Sequence, residues 1–105
     1  MRRMPFYAFI GRDGEEGLER RKLHREAHLE SLRDLEAAAR IRHAGPLLDD
    51  SGRPIGSLIV FEAPSLEHAR AHAAADPYVV HQVFERYEVR ETKVVFPKQC
   101  SSARG

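Results

Sequence analysis

The nine residues Ile55–Ala63, IGSLIVFEA, restrict the possible folds of this chain more than any other segment. β-branched and aromatic side chains dominate the segment, which marks it as a strand. Successive side chains of a strand point to opposite faces. Ile55, Ser57, Ile59 and Phe61 therefore share one face, and Gly56, Leu58 and Val60 the other. Both sets are largely apolar. Met4–Ile10 (MPFYAFI) repeats the pattern, with Tyr7 and Phe9 opposed to Phe6, Ala8 and Ile10. Strands that are apolar on both sides are covered on both sides. At 105 residues the chain is long enough for one domain and one modest core.

The rest of the chain supplies cover for one face. Gly11-Arg12-Asp13-Gly14 closes the first strand as a turn. Gly17–Arg40 then runs without proline or internal glycine, rich in Leu, Ala, Glu and Arg, and is predicted as a long helix. His43-Ala44-Gly45-Pro46 interrupts it, within a weak second strand Ile41–Leu48, and Asp49-Asp50-Ser51-Gly52 forms the next turn. After Ile55–Ala63, Pro64-Ser65 opens a second helix to about Ala75, with Ser65 as N-cap. Asp76-Pro77 ends it, a short turn or helix follows, and a final strand is predicted from about Tyr87 to Phe96. The order β-α-β-β-α-β is that of a ferredoxin-like α+β fold, an antiparallel four-stranded sheet with two helices on one face. The expected domain spans residues 4–97, with Met1–Arg3 and the polar tail 98–105 frayed. The helix-free face is expected to bury against a second copy of the same sheet, giving a two-fold homodimer. Its alternative is an open ligand cleft.

Charge and composition remove several function classes. Seventeen Lys+Arg against sixteen Asp+Glu leave a net charge of +1, without the gathered basic surplus of a nucleic-acid binder. Cys100 is the single cysteine and cannot form an internal disulfide. The apolar run Pro5–Ile10 is too short for a signal-peptide core or a membrane span, so a cytoplasmic protein is expected. The glycine-rich phosphate loops and the G-x-S-x-G nucleophile elbow are missing, which leaves nucleotide binding and serine hydrolysis without support.

Three residues stand out chemically. On a helix advancing about 100° per residue, Arg21, His24, Arg25, His28, Leu32, Leu35 and Ala39 fall within about 60° of the Arg21 direction. This stripe is basic in its first half and apolar in its second, and His28 stands at the boundary. The neighbouring arginines favour its neutral, basic form; its alternative is a space-filling histidine at a core rim. Asp76 stands at the C-terminal end of the second helix, where a carboxylate opposes the helix dipole, and is equally suited to cap a following turn with Pro77 at its first position. Ser57 places a hydroxyl in an apolar strand face, where it needs a partner: His or Asp at a pocket edge, or backbone. The pairs His24/His28 and His68/His72 are spaced like metal ligands on a helix. Neither carries the adjacent glutamate of H-E-x-x-H, and His68 and His72 fall off the Leu66–Ala69–Ala73 stripe, toward solvent. No metal site is expected.

Taken in order, several segments resemble the YCII-related (YciI-like) family. They are Arg25-x-x-His28-Leu29, Ala44-Gly45-Pro46, Gly56-Ser57, Ser65-Leu66-Glu67-x-Ala69, Ala75-Asp76-Pro77-Tyr78, and Val89 with Lys93-Val94-Val95-Phe96. The resemblance covers about Met4 to Phe96. It implies a dimeric α/β barrel, akin to muconolactone isomerase, whose cleft holds a His–Asp pair. That pair maps onto His28 and Asp76, with Ser57 nearby. At least one family member is a dehydrochlorinase of a chlorinated hydroxyquinol. The resemblance therefore implies proton transfer: Asp76 fixes the tautomer of His28, whose other ring nitrogen takes a proton in an isomerisation or β-elimination on a small cyclic or aromatic acid. Arg25 would hold a substrate carboxylate or phenolate, and Tyr78 a pocket wall. This chemistry requires no cofactor. The rival reading is a non-catalytic dimer that binds a small molecule or a protein partner. The short Asp49–Pro54 connection departs from the family pattern and bears on pocket shape.

Overall fold

The computed structural model describes residues 4–38 and 40–96. The terminal segments expected to fray, with Cys100, and Ala39 of the helical stripe lie outside the described residues. The elements are β1 (Phe6–Asp13), α1 (Gly17–Ala37), β2 (Ile41–Leu48), β3 (Pro54–Glu62), α2 (Leu66–Ala74), α3 (Pro77–Val80) and β4 (Phe84–Thr92). The strands form one sheet in the order β2-β3-β1-β4, every neighbouring pair antiparallel. This is the ferredoxin-like βαββαβ arrangement the sequence predicts, with α3 as the short helix after Asp76-Pro77.

Two strand boundaries differ from expectation. β1 runs on through the predicted turn to Asp13, because Gly11 and Arg12 continue the ladder against β3 and β4. β4 begins at Phe84 and ends at Thr92, upstream of the predicted Tyr87–Phe96. Its position is set by pairing with β1: Phe84 stands opposite Asp13, and the apolar run Val94–Phe96 lies past the end of that partner.

The alternation in β1 and β3 sorts their side chains as expected. Tyr7 and Phe9 of β1, with Ile59 and Phe61 of β3, join Leu35 of α1 and Ala69 and Ala73 of α2 in one buried core. The small alanines of α2 let that helix sit close to the sheet. On the opposite, helix-free face, Ile10 is 37% exposed, and Leu58 and Val60 are half-buried. Gly56 admits no side chain, since a Cβ there would collide with the Gly11 carbonyl on the neighbouring strand. Its backbone therefore lies flush with β1, with its own carbonyl left for a side-chain donor. No described helix is long and apolar enough to cross a membrane.

Candidate functional site

Helix α1 buries Gly17, Arg21, His28 and Leu35. The last three follow at seven-residue intervals, which returns a helix to nearly the same angle after two turns. Arg21 and His28 are thereby carried inward, Arg21 against the central strands β1 and β3.

His28 is 7% exposed, as is Asp76. The ring Nδ1 lies 2.9 Å from Asp76 Oδ1 and 3.1 Å from Oδ2. Asp76 has extended backbone as N-cap of α3, and its Oδ1 also accepts from the Tyr78 backbone N–H at 2.8 Å. Capping and pairing thus share one carboxylate. The proline at N1 fixes the turn that aims it. Tyr78 stacks flat on the His28 ring, centroids 3.8 Å apart and planes 4° from parallel. Its hydroxyl donates to the Arg21 carbonyl at 3.3 Å. Burial pushes the Tyr78 phenol pKa upward, so it remains a donor at neutral pH. With Nδ1 engaged, the other ring nitrogen of His28 has no hydrogen-bond partner among the described residues.

A cavity of about 310 Å³ opens beside the ring, a size suited to a small ligand. His28, Ser57, Tyr78 and Arg25 all line it, so four of the five sequence-selected residues share one wall system. Asp76 stands behind His28, outside this lining. Arg21 and Lys22 join Arg25 there, and among the described residues no carboxylate contributes to the walls, which gives the cavity a positive bias. Pro54, the first residue of β3 after the short connection from β2, closes one side. Leu29, Leu32, Pro46 and Ile59 make much of the remainder apolar.

Ser57 finds its partner elsewhere than a histidine or aspartate: its Oγ accepts from Arg21 Nη2 at 3.0 Å. The same nitrogen donates to the Gly56 carbonyl at 2.7 Å and to Asp13 Oδ1 at 2.9 Å, while Nε donates to Asp13 Oδ2 at 2.7 Å. Arg21 and Asp13 were not singled out by the sequence as site residues. The signal was faint: Arg21 precedes His28 by seven residues, and Asp13 sits in a segment that reads as a turn. This buried fork holds the strand end of β1, the close approach at Gly56 and the first half of α1 in one arrangement.

Two further histidines brace α1 against the α3–β4 link. His24 stacks on His81 with centroids 3.7 Å apart, and Arg20 Nη1 donates to the Gln82 carbonyl at 3.0 Å. Partial burial, then the proximity of His81, lowers the His24 pKa. His72, expected in solvent, is instead half-buried with its ring 5.4 Å from that of Phe61. The short α2 packs so near the sheet that even its flank is covered. Among the described residues no three His, Cys, Asp or Glu side chains group as metal ligands.

The chain matches the YCII-related domain over residues 5–93. It is 40% identical over 96 residues to the protein YciI of Escherichia coli, covering 86% of this chain and 98% of that one. A Haemophilus influenzae protein is 34% identical over 97 residues, covering 87% and 99%. Among solved structures, it resembles the 5-chloro-2-hydroxyhydroquinone dehydrochlorinase TftG of Burkholderia phenoliruptrix, determined in complex with 2,5-dihydroxybenzoquinone. That match has a TM-score of 0.74 and 26% identity, over 84% of this chain and 93% of that one. A NIPSNAP family protein of Agrobacterium tumefaciens shares the fold, with a TM-score of 0.54 and 17% identity over 92% and 100% of the two chains. Sequence and fold together make this chain a member of the YCII-related family.

Proposed function

We propose that this protein is a proton-transfer enzyme, an isomerase or a dehydrochlorinase-like lyase, acting on a small cyclic or aromatic acid. The observation that carries the reading is the division of labour on the His28 ring. Asp76 accepts from Nδ1, while the ring itself lines the cavity and its other nitrogen is unclaimed. With the proton held on Nδ1, Nε2 presents a lone pair and His28 is a base. It takes a proton from a substrate carbon or hydroxyl, and the released electron pair forms a double bond. In an elimination, chloride departs from the adjacent carbon with the bonding pair and His28 then gives its proton to water; in an isomerisation, His28 returns the proton to another carbon. The imidazolium formed in between is stabilised by Asp76. Arg25 and Lys22 draw a carboxylate or phenolate toward the cavity, and Tyr78 and Ser57 shape its walls. The similarity to a dehydrochlorinase supports the reaction class. The working form is a homodimer joined through the helix-free sheet faces, whose centre carries Ala8, Ile10, Leu58 and Val60.

The test is a panel of chlorinated hydroxyquinols and cyclic enol acids, read by chloride release and by exchange of substrate C–H for deuterium. The wild-type protein is expected to turn over at least one, and His28→Ala to lose roughly 10²–10⁴-fold, the contribution of a general base. A substrate turned over equally well by His28→Ala would refute the reading. Binding without turnover by the wild type would make the protein a ligand carrier.

A further inference from the structure

A second, much smaller cavity lies behind the His28–Asp76 pair. Its volume is about 10 Å³, close to the room one water needs. Its walls, among them Phe9, Leu35 and Phe61, are apolar except for two side chains, His72 and Asp76. Asp76 has acceptor capacity to spare there. Oδ1 takes both the Tyr78 N–H and the shorter contact from His28, while Oδ2 has only the longer 3.1 Å contact. A buried carboxylate offers about four lone-pair sites, and a nearly unused oxygen at 7% residue exposure calls for a donor. The ring nitrogens of His72, for their part, have no hydrogen-bond partner among the described residues.

The groups facing His72 are few. Phe61 of β3 packs on its ring. Asp76 at the α2–α3 junction attracts its proton, while Arg40, just before β2, repels it. Arg40 is occupied in turn by the Glu62 carbonyl, at 3.1 and 2.8 Å.

We propose that His72 is a positioning residue of the His28–Asp76 pair, linked to Asp76 Oδ2 across this cavity through one water. The link makes Asp76 a carboxylate with an imidazole on each side. While His72 is neutral, it supplies the missing donor and leaves Asp76 free to support a proton on His28. Once His72 is protonated at acid pH, it draws the carboxylate's charge from behind, and His28 loses part of its counter-charge. The two imidazoles therefore compete for the charge of one carboxylate. This deepens, and rests on, the reading of His28 and Asp76 as the working pair.

The test follows the ring nitrogens of both histidines by NMR across their titration, in ligand-free wild type, His72→Gln, His72→Phe and Asp76→Asn. In the wild type, the His28 signals are expected to carry a second step at the pH where His72 titrates. Both His72 variants remove that step, and His72→Phe keeps an aromatic ring against Phe61 should His72→Gln fold poorly. By reciprocity, Asp76→Asn lowers the His72 midpoint by roughly half a pH unit or more. A purely structural His72 would change the melting temperature and leave these steps alone. Wild-type His28 signals indifferent to His72, or a His72 midpoint unmoved in Asp76→Asn, would overturn the proposal. Because no substrate enters the measurement, it decides the link whether or not turnover is found.

Discussion

Asp76→Asn separates the two jobs of this side chain. Asn caps helices about as well as Asp, and its carbonyl oxygen still accepts from the Tyr78 N–H, now at 2.8 Å. The start of α3 is therefore preserved. What disappears is charge. A hydrogen bond to a charged group contributes about 1.5–3 kcal/mol and a neutral one about 0.5–1.5, so the loss is about 1 kcal/mol. Both side chains are only 9% exposed, which leaves little solvent screening to discount. For a domain near this size, that loss lowers the melting temperature by roughly 4–8 °C. The chemical effect is much larger. The amide NH2 now stands where Oδ2 lay, 3.1 Å from Nδ1, and it donates. Nδ1 then accepts, the ring proton moves to Nε2, and the base has no lone pair for substrate. The same substitution beside the histidine of a serine-protease triad slows turnover about 10⁴-fold by imposing the wrong tautomer. Thermal denaturation by circular dichroism gives the first quantity, and ring-nitrogen NMR gives the tautomer directly. The reasoning is falsified if His28 in Asp76→Asn keeps its proton on Nδ1, or if turnover declines no further than the folded fraction.

Arg21→Met leaves the Asp13 carboxylate, 7% exposed, without its counter-ion; breaking such a buried pair costs about 3–5 kcal/mol. Urea unfolding measures this, adding Asp13→Asn should recover part of it, and a loss below about 1 kcal/mol would show the fork to be dispensable. Ile10→Lys places a charge on the helix-free face and is expected to convert dimers to monomers in light scattering; a wild-type protein of monomer mass would end the dimer proposal. Stability should fall on acidification. His72 and His24 both titrate below the ordinary histidine value of 6.5 when folded, through desolvation first. The unfolded chain then binds more protons, so their contribution is present above about pH 6.5 and is lost as pH falls through the folded values. Melting temperatures recorded against pH should show the decline, and the double variant His24→Gln, His72→Gln should flatten it.

Local chemistry determined much of this protein. Proline and glycine punctuation set the element order, and alternation in Met4–Ile10 and Ile55–Ala63 sorted each strand into a helix-facing and a helix-free side. Helical periodicity brought His28 inward, and Asp76-Pro77 announced a cap. These are signals carried by neighbours within a few residues, where the backbone geometry is known in advance. The strand ends were decided by partners distant in sequence: Asp13 extends β1 because β4 pairs with it, and Val94–Phe96 leave the ladder because β1 has ended. The site followed the same division. Residue type and spacing nominated His28, Asp76 and Ser57, but the tertiary structure decided that Asp76 both caps and pairs. It also gave Ser57 to Arg21, a residue 36 positions away along the chain. Arg21, Asp13 and His72 were not nominated for the site, for one physical reason. A charged or titratable side chain reads as solvent-exposed until a partner is shown to satisfy it in the interior, and each partner or packing neighbour belongs to another element.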